Sequence, residues 1–141
     1  MIWKYRYPAK NATPTYPGPR TTPTVDDGLV YTISYDGQLK ALDAKTGKLA
    51  CESDSIKDFG SRIVKAMRHG FSSSPLVAGE LLIAHPGAKG ASVVAFDKKT
   101  GEVVWQSGDD PAGYSSPVLS PSVASGRIFC RSTAGEVVCL E

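Results

Sequence analysis

A single pattern recurs along this chain, and it limits the possible folds more than any other feature. One copy opens at Thr22-Pro23-Thr24-Val25-Asp26-Asp27-Gly28-Leu29-Val30-Tyr31. It runs through Asp36-Gly37-Gln38-Leu39-Lys40-Ala41-Leu42-Asp43 to Ala44-Lys45-Thr46-Gly47-Lys48. A second opens at Ser74-Pro75-Leu76-Val77-Ala78-Gly79 and reaches Val93-Val94-Ala95-Phe96-Asp97-Lys98-Lys99-Thr100-Gly101-Glu102. A third is read from Ser120-Pro121-Ser122-Val123 through Gly126-Arg127-Ile128-Phe129 to Gly135-Glu136-Val137-Val138-Cys139-Leu140-Glu141. Pro23 to Asp43 spans 20 residues, as does Pro121 to Glu141, and Pro75 to Asp97 spans 22. A period of roughly 45–55 residues falls in the range of propeller blades.

Each copy follows the same physical logic. A proline begins a strand, where a missing N–H costs least. Asp27-Gly28, Ala78-Gly79 and Ser125-Gly126 supply hairpin turns. Asp36-Gly37 and Ala134-Gly135 supply second turns. Asp-x-x-Thr-Gly then closes two copies, as a turn whose Asp side chain accepts backbone N–H bonds. Lys48-Leu49-Ala50-Cys51 and Glu102-Val103-Val104-Trp105-Gln106 read as fourth strands. The expected fold is all-β: a partial propeller of about three four-stranded antiparallel blades. Residues 1–20 are expected to end a preceding blade and connect onward. Blade 1 spans 21–52, a rim insertion 53–73, blade 2 74–107, and 108–141 form a third blade without its last strand.

The string Ala95-Phe96-Asp97-Lys98-Lys99-Thr100-Gly101-Glu102-Val103-Val104-Trp105 resembles the tryptophan-docking repeat of quinoprotein-type (PQQ-like) propellers. Ala41 to Cys51 matches it except that Cys51 stands at the tryptophan position. Trp3 reads as the end of a preceding repeat. Such propellers include quinone-dependent alcohol dehydrogenases and the non-enzymatic lipoprotein of outer-membrane barrel assembly. Lys57-Asp58-Phe59-Gly60 and Gly70-Phe71-Ser72-Ser73-Ser74-Pro75 resemble large bacterial quinone-binding-like propellers, many without demonstrated enzyme activity. In these repeats the indole fastens one blade to the next, so Trp3 and Trp105 are expected to pack rather than to touch a cofactor. The resemblance implies a periplasmic or cell-envelope setting. The polar, aromatic start Met1-Ile2-Trp3-Lys4-Tyr5-Arg6-Tyr7 is not a signal peptide.

Composition removes several alternatives. The 16 basic and 14 acidic residues leave a formal charge of +2, too small for nucleic-acid or anionic-membrane binding by field alone. No stretch of 18 apolar residues occurs, so no transmembrane helix is expected. Cys51, Cys130 and Cys139 have no metal-site spacing. A two-residue turn at Ala134-Gly135 would pair Cys130 with Cys139, as Thr32 with Ala41 in the first copy. Two buried reduced thiols are favoured there over a disulfide.

No catalytic, cofactor-binding or metal-ligating residue is expected. A Ser-His-Asp site assembled from Ser72, Ser73, His69 and Asp58 lacks a nucleophile elbow. His85 reads as a loop residue before Pro86-Gly87. Gly87-Ala88-Lys89-Gly90 is a hairpin loop rather than a phosphate cradle. Asp109-Asp110-Pro111 is read as a turn ahead of calcium binding, and Asn11-Ala12-Thr13 fits a glycosylation acceptor only formally. Ile56 to His69 suggests a helical turn or two, with Ile63, Val64, Ala66 and Met67 apolar, on a propeller rim.

An isolated arc leaves two apolar blade faces wet, which predicts self-association, a protein partner, or more blades. Met1 to Tyr5 is one candidate for the missing fourth strand after Glu141, within a chain or between chains. The expected function is a non-catalytic repeat module presenting rim loops to a protein or ligand. Alternatives are a fragment of a quinone-dependent oxidoreductase, for which alone PQQ and Ca²⁺ would be cofactors, and a gene remnant without separate function. The chain has no adjacent cysteine pair of the kind common near the quinone in those enzymes.

Overall fold

The structure, a computed structural model, describes residues 1–8, 18–63, 69–120, 126–132 and 135–140. Among them the first repeat forms β1 (Thr24–Asp26), β2 (Leu29–Ile33), β3 (Gln38–Asp43) and β4 (Leu49–Asp54), hydrogen-bonded in that order. A five-residue helix, α1 (Ser55–Phe59), follows. The second repeat forms β5 (Leu76–Ala78), β6 (Leu81–Ala84), β7 (Val93–Asp97) and β8 (Val103–Ser107), again in order. The third contributes β9 (Val118–Ser120), β10 (Arg127–Arg131) and β11 (Val137–Leu140). All pairings are antiparallel. The architecture is a partial propeller of three blades. No helix among the described residues is long and apolar enough to cross a membrane.

Turn chemistry drives this arrangement. Asp26 pairs with Leu29 across Asp27-Gly28, both at positive φ (44° and 77°), the two-residue hairpin that matches strand twist. In the second blade the turn residues are Gly79-Glu80 rather than Ala78-Gly79, because Ala78 itself pairs with Leu81. Gly79 at φ 61° takes the first turn position, where a positive φ is required. The Asp-x-x-Thr-Gly turns form as expected. Asp43 Oδ1 accepts from Lys45 N (3.1 Å), Thr46 N (2.7 Å) and Thr46 Oγ1 (2.7 Å). Asp97 Oδ1 accepts from Lys99 N (2.9 Å) and Thr100 N (2.8 Å). The Thr46 hydroxyl, then its N–H, hold Asp43 below the usual carboxylate range, and the Thr100 and Lys99 N–H groups do so for Asp97. Both turns therefore keep their contribution as pH falls to the ordinary Asp range and lose it only below that.

Two expectations about the third blade are corrected. Its first strand is β9, beginning after Ser116-Pro117, not after Ser120-Pro121; Ser120 pairs with Arg127. Both X-Pro steps read alike locally, but Ser115-Ser116-Pro117 continues the series Thr21-Thr22-Pro23 and Ser73-Ser74-Pro75. The cysteine register also moves by one. Cys130 pairs with Val138, and Cys139 with Phe129. The second turn is a three-residue loop: Ser132 N bonds Glu136 O and Gly135 N bonds Ser132 O. Gly135, at φ 90°, fills the left-handed third position. Blade 1 does the same across Tyr35-Asp36-Gly37, pairing Ala41 with Tyr31 rather than Thr32.

A one-residue slip sends side chains to opposite faces. Cys130 is buried, with burial pushing its thiol up to about 11, while Cys139 is exposed. Denaturation without reductant is expected to release three thiols per chain. A count of one, from a Cys130–Cys139 disulfide, would contradict this register.

The helical expectation holds for one turn, placed earlier than the apolar positions suggested. Asp54 caps α1 through Ile56 N and Lys57 N (both 3.1 Å), and Gly60 at φ 74° ends it. Val64, Ala66, Met67 and the Asn11-Ala12-Thr13 tripeptide lie outside the described residues.

Strand alternation divides the core into two interfaces. Tyr31, Ile33, Leu39 and Ala41 of blade 1 meet Leu82, Ala84, Val94 and Phe96 of blade 2. Ile83, Val93 and Ala95, on the other face of blade 2, meet Ile128 and Cys130 of blade 3. Tyr31 is fully buried and donates to Lys98 O at 3.0 Å, across the first interface. Burial first, then the nearby Asp26 charge, push its phenol up to about 12. The neutral hydroxyl thus stabilises fully below pH ~10, and that contribution disappears as pH rises through about 12. Tyr31→Phe should cost about 1–2 kcal/mol at neutral pH. The deficit should vanish between pH 10 and about 12 in denaturant melts of both proteins; a deficit unchanged at high pH would refute this.

Candidate functional site

Antiparallel connectivity gives the arc two rims. One carries the β1–β2 and β3–β4 type turns, joined by Ala44 N to Gly28 O (2.8 Å) and Lys98 N to Glu80 O (3.0 Å). The other carries the β2–β3 and β6–β7 loops together with the blade connectors. It is joined by Ser55 N to Gly37 O and Ser92 N to Gly108 O, both 3.0 Å.

The turn rim is an ion network. The Lys98 ammonium is buried and meets Asp26 Oδ2 at 2.8 Å and Glu80 Oε1 at 3.4 Å. Lys99 reaches Asp27 and Glu80, each at 3.5 Å. The Asp26 hydrogen bond raises the Lys98 pKa, and the Glu80 charge raises that of Lys99. Two ammoniums thus face three carboxylates in one network, a seam between blades 1 and 2.

The connector rim is held by close backbone approach. Phe71 N donates to Tyr35 O at 3.0 Å, with Gly70 packed against Tyr35. Gly87 lies directly against the Ala112 backbone, and Gly113 against Arg131 O. A relay of small polar residues ties the blades together: Thr22 N donates to Ser74 Oγ (2.8 Å), and Ser74 N to Ser116 Oγ (2.9 Å). Thr24 Oγ1 adds a bond to Pro75 O at 2.6 Å. Sequence reasoning missed this relay. Its signal is the hydroxyl residue before each strand-opening proline.

The imagined triad does not assemble. Asp58 Oδ2 accepts from Ser53 Oγ (2.8 Å) and Asp54 N (2.7 Å). Ser72 Oγ donates to His69 O, a backbone carbonyl, at 3.2 Å, and the His69 ring lies 5.8 Å from that of Tyr114. Ser73 is buried and lines a water-sized cavity with Phe71 and His85. His85 is a loop residue but only 4 % exposed; burial lowers its pKa and keeps it neutral. Its Nε2 is 3.5 Å from Ser92 Oγ. Asp109 Oδ1 accepts from Gly90 N at 2.7 Å, fixing the Gly87–Gly90 loop to the next connector. No group of three or more metal-ligating side chains occurs among the described residues.

The N-terminal segment docks on blade 1. Trp3 Nε1 donates to Ala44 O at 2.9 Å, and the indole lies over Gly47. Cys51, at the corresponding repeat position, lies over Gly101 of blade 2. Trp105 is half-buried and packs on the second interface. The sequence profile of the outer membrane protein assembly factor BamB matches residues 3–141, all three blades and the docked Trp3.

The chain belongs to the BamB family of PQQ-like repeats.

Relatives of the chain include quinoproteins. The BamB-family chain is 28 % identical over 122 residues to the quinoprotein alcohol dehydrogenase PedH of Pseudomonas putida, covering 84 % of this chain and 19 % of the relative. It is 32 % identical over 118 residues to the quinoprotein ethanol dehydrogenase of Pseudomonas aeruginosa, covering 79 % and 18 %. The chain therefore spans about a fifth of these relatives. Among solved structures, BamB from Moraxella catarrhalis superposes over 99 % of this chain and 39 % of its own, with a TM-score of 0.66 at 20 % identity. The quinohemoprotein alcohol dehydrogenase ADHIIG from Pseudomonas putida HK5 superposes over 84 % and 24 %, with a TM-score of 0.53 at 20 % identity. At that identity the likeness is one of fold.

Proposed function

We propose that this BamB-family chain is a non-catalytic binding module, with the connector rim as its working surface for a protein partner in the cell envelope. The observation that carries this reading is the contrast between backbone and side chains on that rim. Gly70 and Gly87 pin the connectors to the β2–β3 and β6–β7 loops and Gly113 pins one to β10, yet the pinned connectors leave Tyr114 and Ile56 exposed at 41 % and 36 %. Rigidly held loops bearing exposed aromatic and apolar groups have the composition of binding hot spots. The BamB likeness supports a role beside outer-membrane protein assembly, and with it a periplasmic setting.

Photo-crosslinking tests the rim. A benzophenone residue in place of Tyr114 is expected to trap an envelope protein from living cells, and one in place of Lys99, on the opposite rim, to trap none. Equal capture at both sites, or capture only from Lys99, would end the reading.

The quinoprotein relatives favour a second reading, a portion of a quinone-dependent oxidoreductase. The chain would then take up PQQ with Ca²⁺. Titration of the purified chain with both, followed by the quinone absorbance and dye reduction, is expected to show no bound chromophore. Saturable binding with dye reduction would establish the oxidoreductase reading instead.

A further inference from the structure

Thr21, Ser73 and Ser115 hold the same place in the three repeats, two residues before a strand-opening proline. Tyr31, Ile83 and Phe129 also correspond, because they pair with Thr24, Leu76 and Val118, the residues just after those prolines. Two residues further on stand Ile33, His85 and Arg131. In blade 1 the Thr21 hydroxyl donates to Ile33 O at 2.8 Å, and in blade 3 the Ser115 hydroxyl donates to Arg131 O at 3.4 Å. Each bond ties a connector to the rim end of its blade's second strand. Blade 2 departs from this pattern. Ser73 is only 4 % exposed, yet its Oγ has no hydrogen-bond partner among the described residues.

His85, the residue that corresponds to Ile33 and Arg131, carries a second such atom. Its Nδ1 is buried without a partner among the described residues, while its Nε2 lies 3.5 Å from Ser92 Oγ. Ser73 and His85 both line a cavity of about 10 Å³, enough for a single water. Ile33 brings blade 1 to its wall, and Gly113 brings the connector that follows blade 2. The site is therefore interior to the arc. A buried polar group left unmet is costly, and a water that reaches two of them is retained.

We infer that this cavity is a binding site for one structural water, which bridges Ser73 Oγ to His85 Nδ1 and takes the place of the direct hydroxyl bond made in blades 1 and 3. Water suits the pair because it donates and accepts at once. Burial keeps His85 neutral, and a neutral imidazole has one donor and one acceptor nitrogen. A water meets Nδ1 in either tautomer and still accepts from the Ser73 hydroxyl. One hydroxyl and one ring nitrogen are too few to hold a metal ion in its place. The bridge joins the connector entering blade 2 to the loop leaving that blade's second strand, beneath the connector rim. It stands apart from the partner proposed for that rim, since both bridged groups are buried.

Crystallography of the intact protein at near-atomic resolution is expected to show one density peak within about 2.7–3.2 Å of both Ser73 Oγ and His85 Nδ1. That readout needs no variant to fold. Oxygen-17 relaxation dispersion counts long-lived internal waters in solution, and Ser73→Ala should lose one of them with its circular-dichroism spectrum unchanged. Ser72→Ala is the control. Ser72 lines the same cavity, but its hydroxyl donates to His69 O at 3.2 Å, so the water count should stay at the wild-type value. Any of four results would overturn the proposal: no water touching both atoms, Ser73 Oγ bonded directly to His85 O as in the flanking blades, a wild-type water count in Ser73→Ala, or the same loss in Ser72→Ala.

Discussion

Gly87→Ala is expected to lower stability by more than about 4 kcal/mol, enough to leave much of the chain unfolded at physiological temperature. The reason is backbone against backbone. Gly87 sits at φ 67°, and a Cβ there would land on the nitrogen and Cα of Ala112. Ala112 is itself only 2 % exposed and belongs to the first core cluster, so it has nowhere to retreat. Moving it would also strain the Gly113–Arg131 contact one residue on, which seats blade 3. Gly90→Ala supplies the control. That residue has a similar φ of 74° with open space around its would-be Cβ, so its substitution carries left-handed strain alone, about 1–2 kcal/mol. Urea melts of the two variants separate the causes. Equal losses would mean that the Ala112 approach adds nothing.

Phe96→Ala should cost about 3–5 kcal/mol, and its effect should be concentrated at one blade interface. Phe96 is 2 % exposed, pairs with Leu82 in blade 2, and meets the Phe59 ring edge-on at 6.0 Å between centroids. It therefore joins blade 2 both to blade 1 and to the helical turn on the connector rim. Blade stabilities couple through nearest-neighbour interfaces. Hydrogen exchange in the variant should accelerate more in β2 and β3, across the emptied interface, than in β10. Val104→Ala, at a 55 % exposed position of β8, should change stability by no more than ~0.5 kcal/mol. Uniform acceleration across all three sheets would show that the arc unfolds as one unit instead.

Much of this was legible in the chain itself. The strand-opening prolines of the first two blades, the Asp27-Gly28 hairpin and both Asp-x-x-Thr-Gly turns formed as read, because each is decided within four or five residues by φ preference and a side chain bonding its own backbone. The family resemblance rested on those same turns, and the match over residues 3–141 agrees with it.

What failed was whatever depended on partners far along the chain. Pro117 and Pro121 offer the same local signal, and only the pairing of β9 with β10 selects Pro117. The cysteines looked opposed because Ala134-Gly135 resembles a two-residue turn. The loop instead takes three residues to put Gly135 at the left-handed position, and that one residue sends Cys130 inward and Cys139 outward. The connector rim depends on Gly87 and Gly113 meeting backbone more than 15 residues away, for which one glycine in a loop gives no address. The sequence by itself determined the repeat, the Asp27-Gly28 hairpin and both Asp-x-x-Thr-Gly turns, since these are local energies. Register, which apolar face meets which, and the seat of Trp3 on Gly47 were decided only by tertiary packing, because burial is a property of two surfaces and each strand carries only one of them.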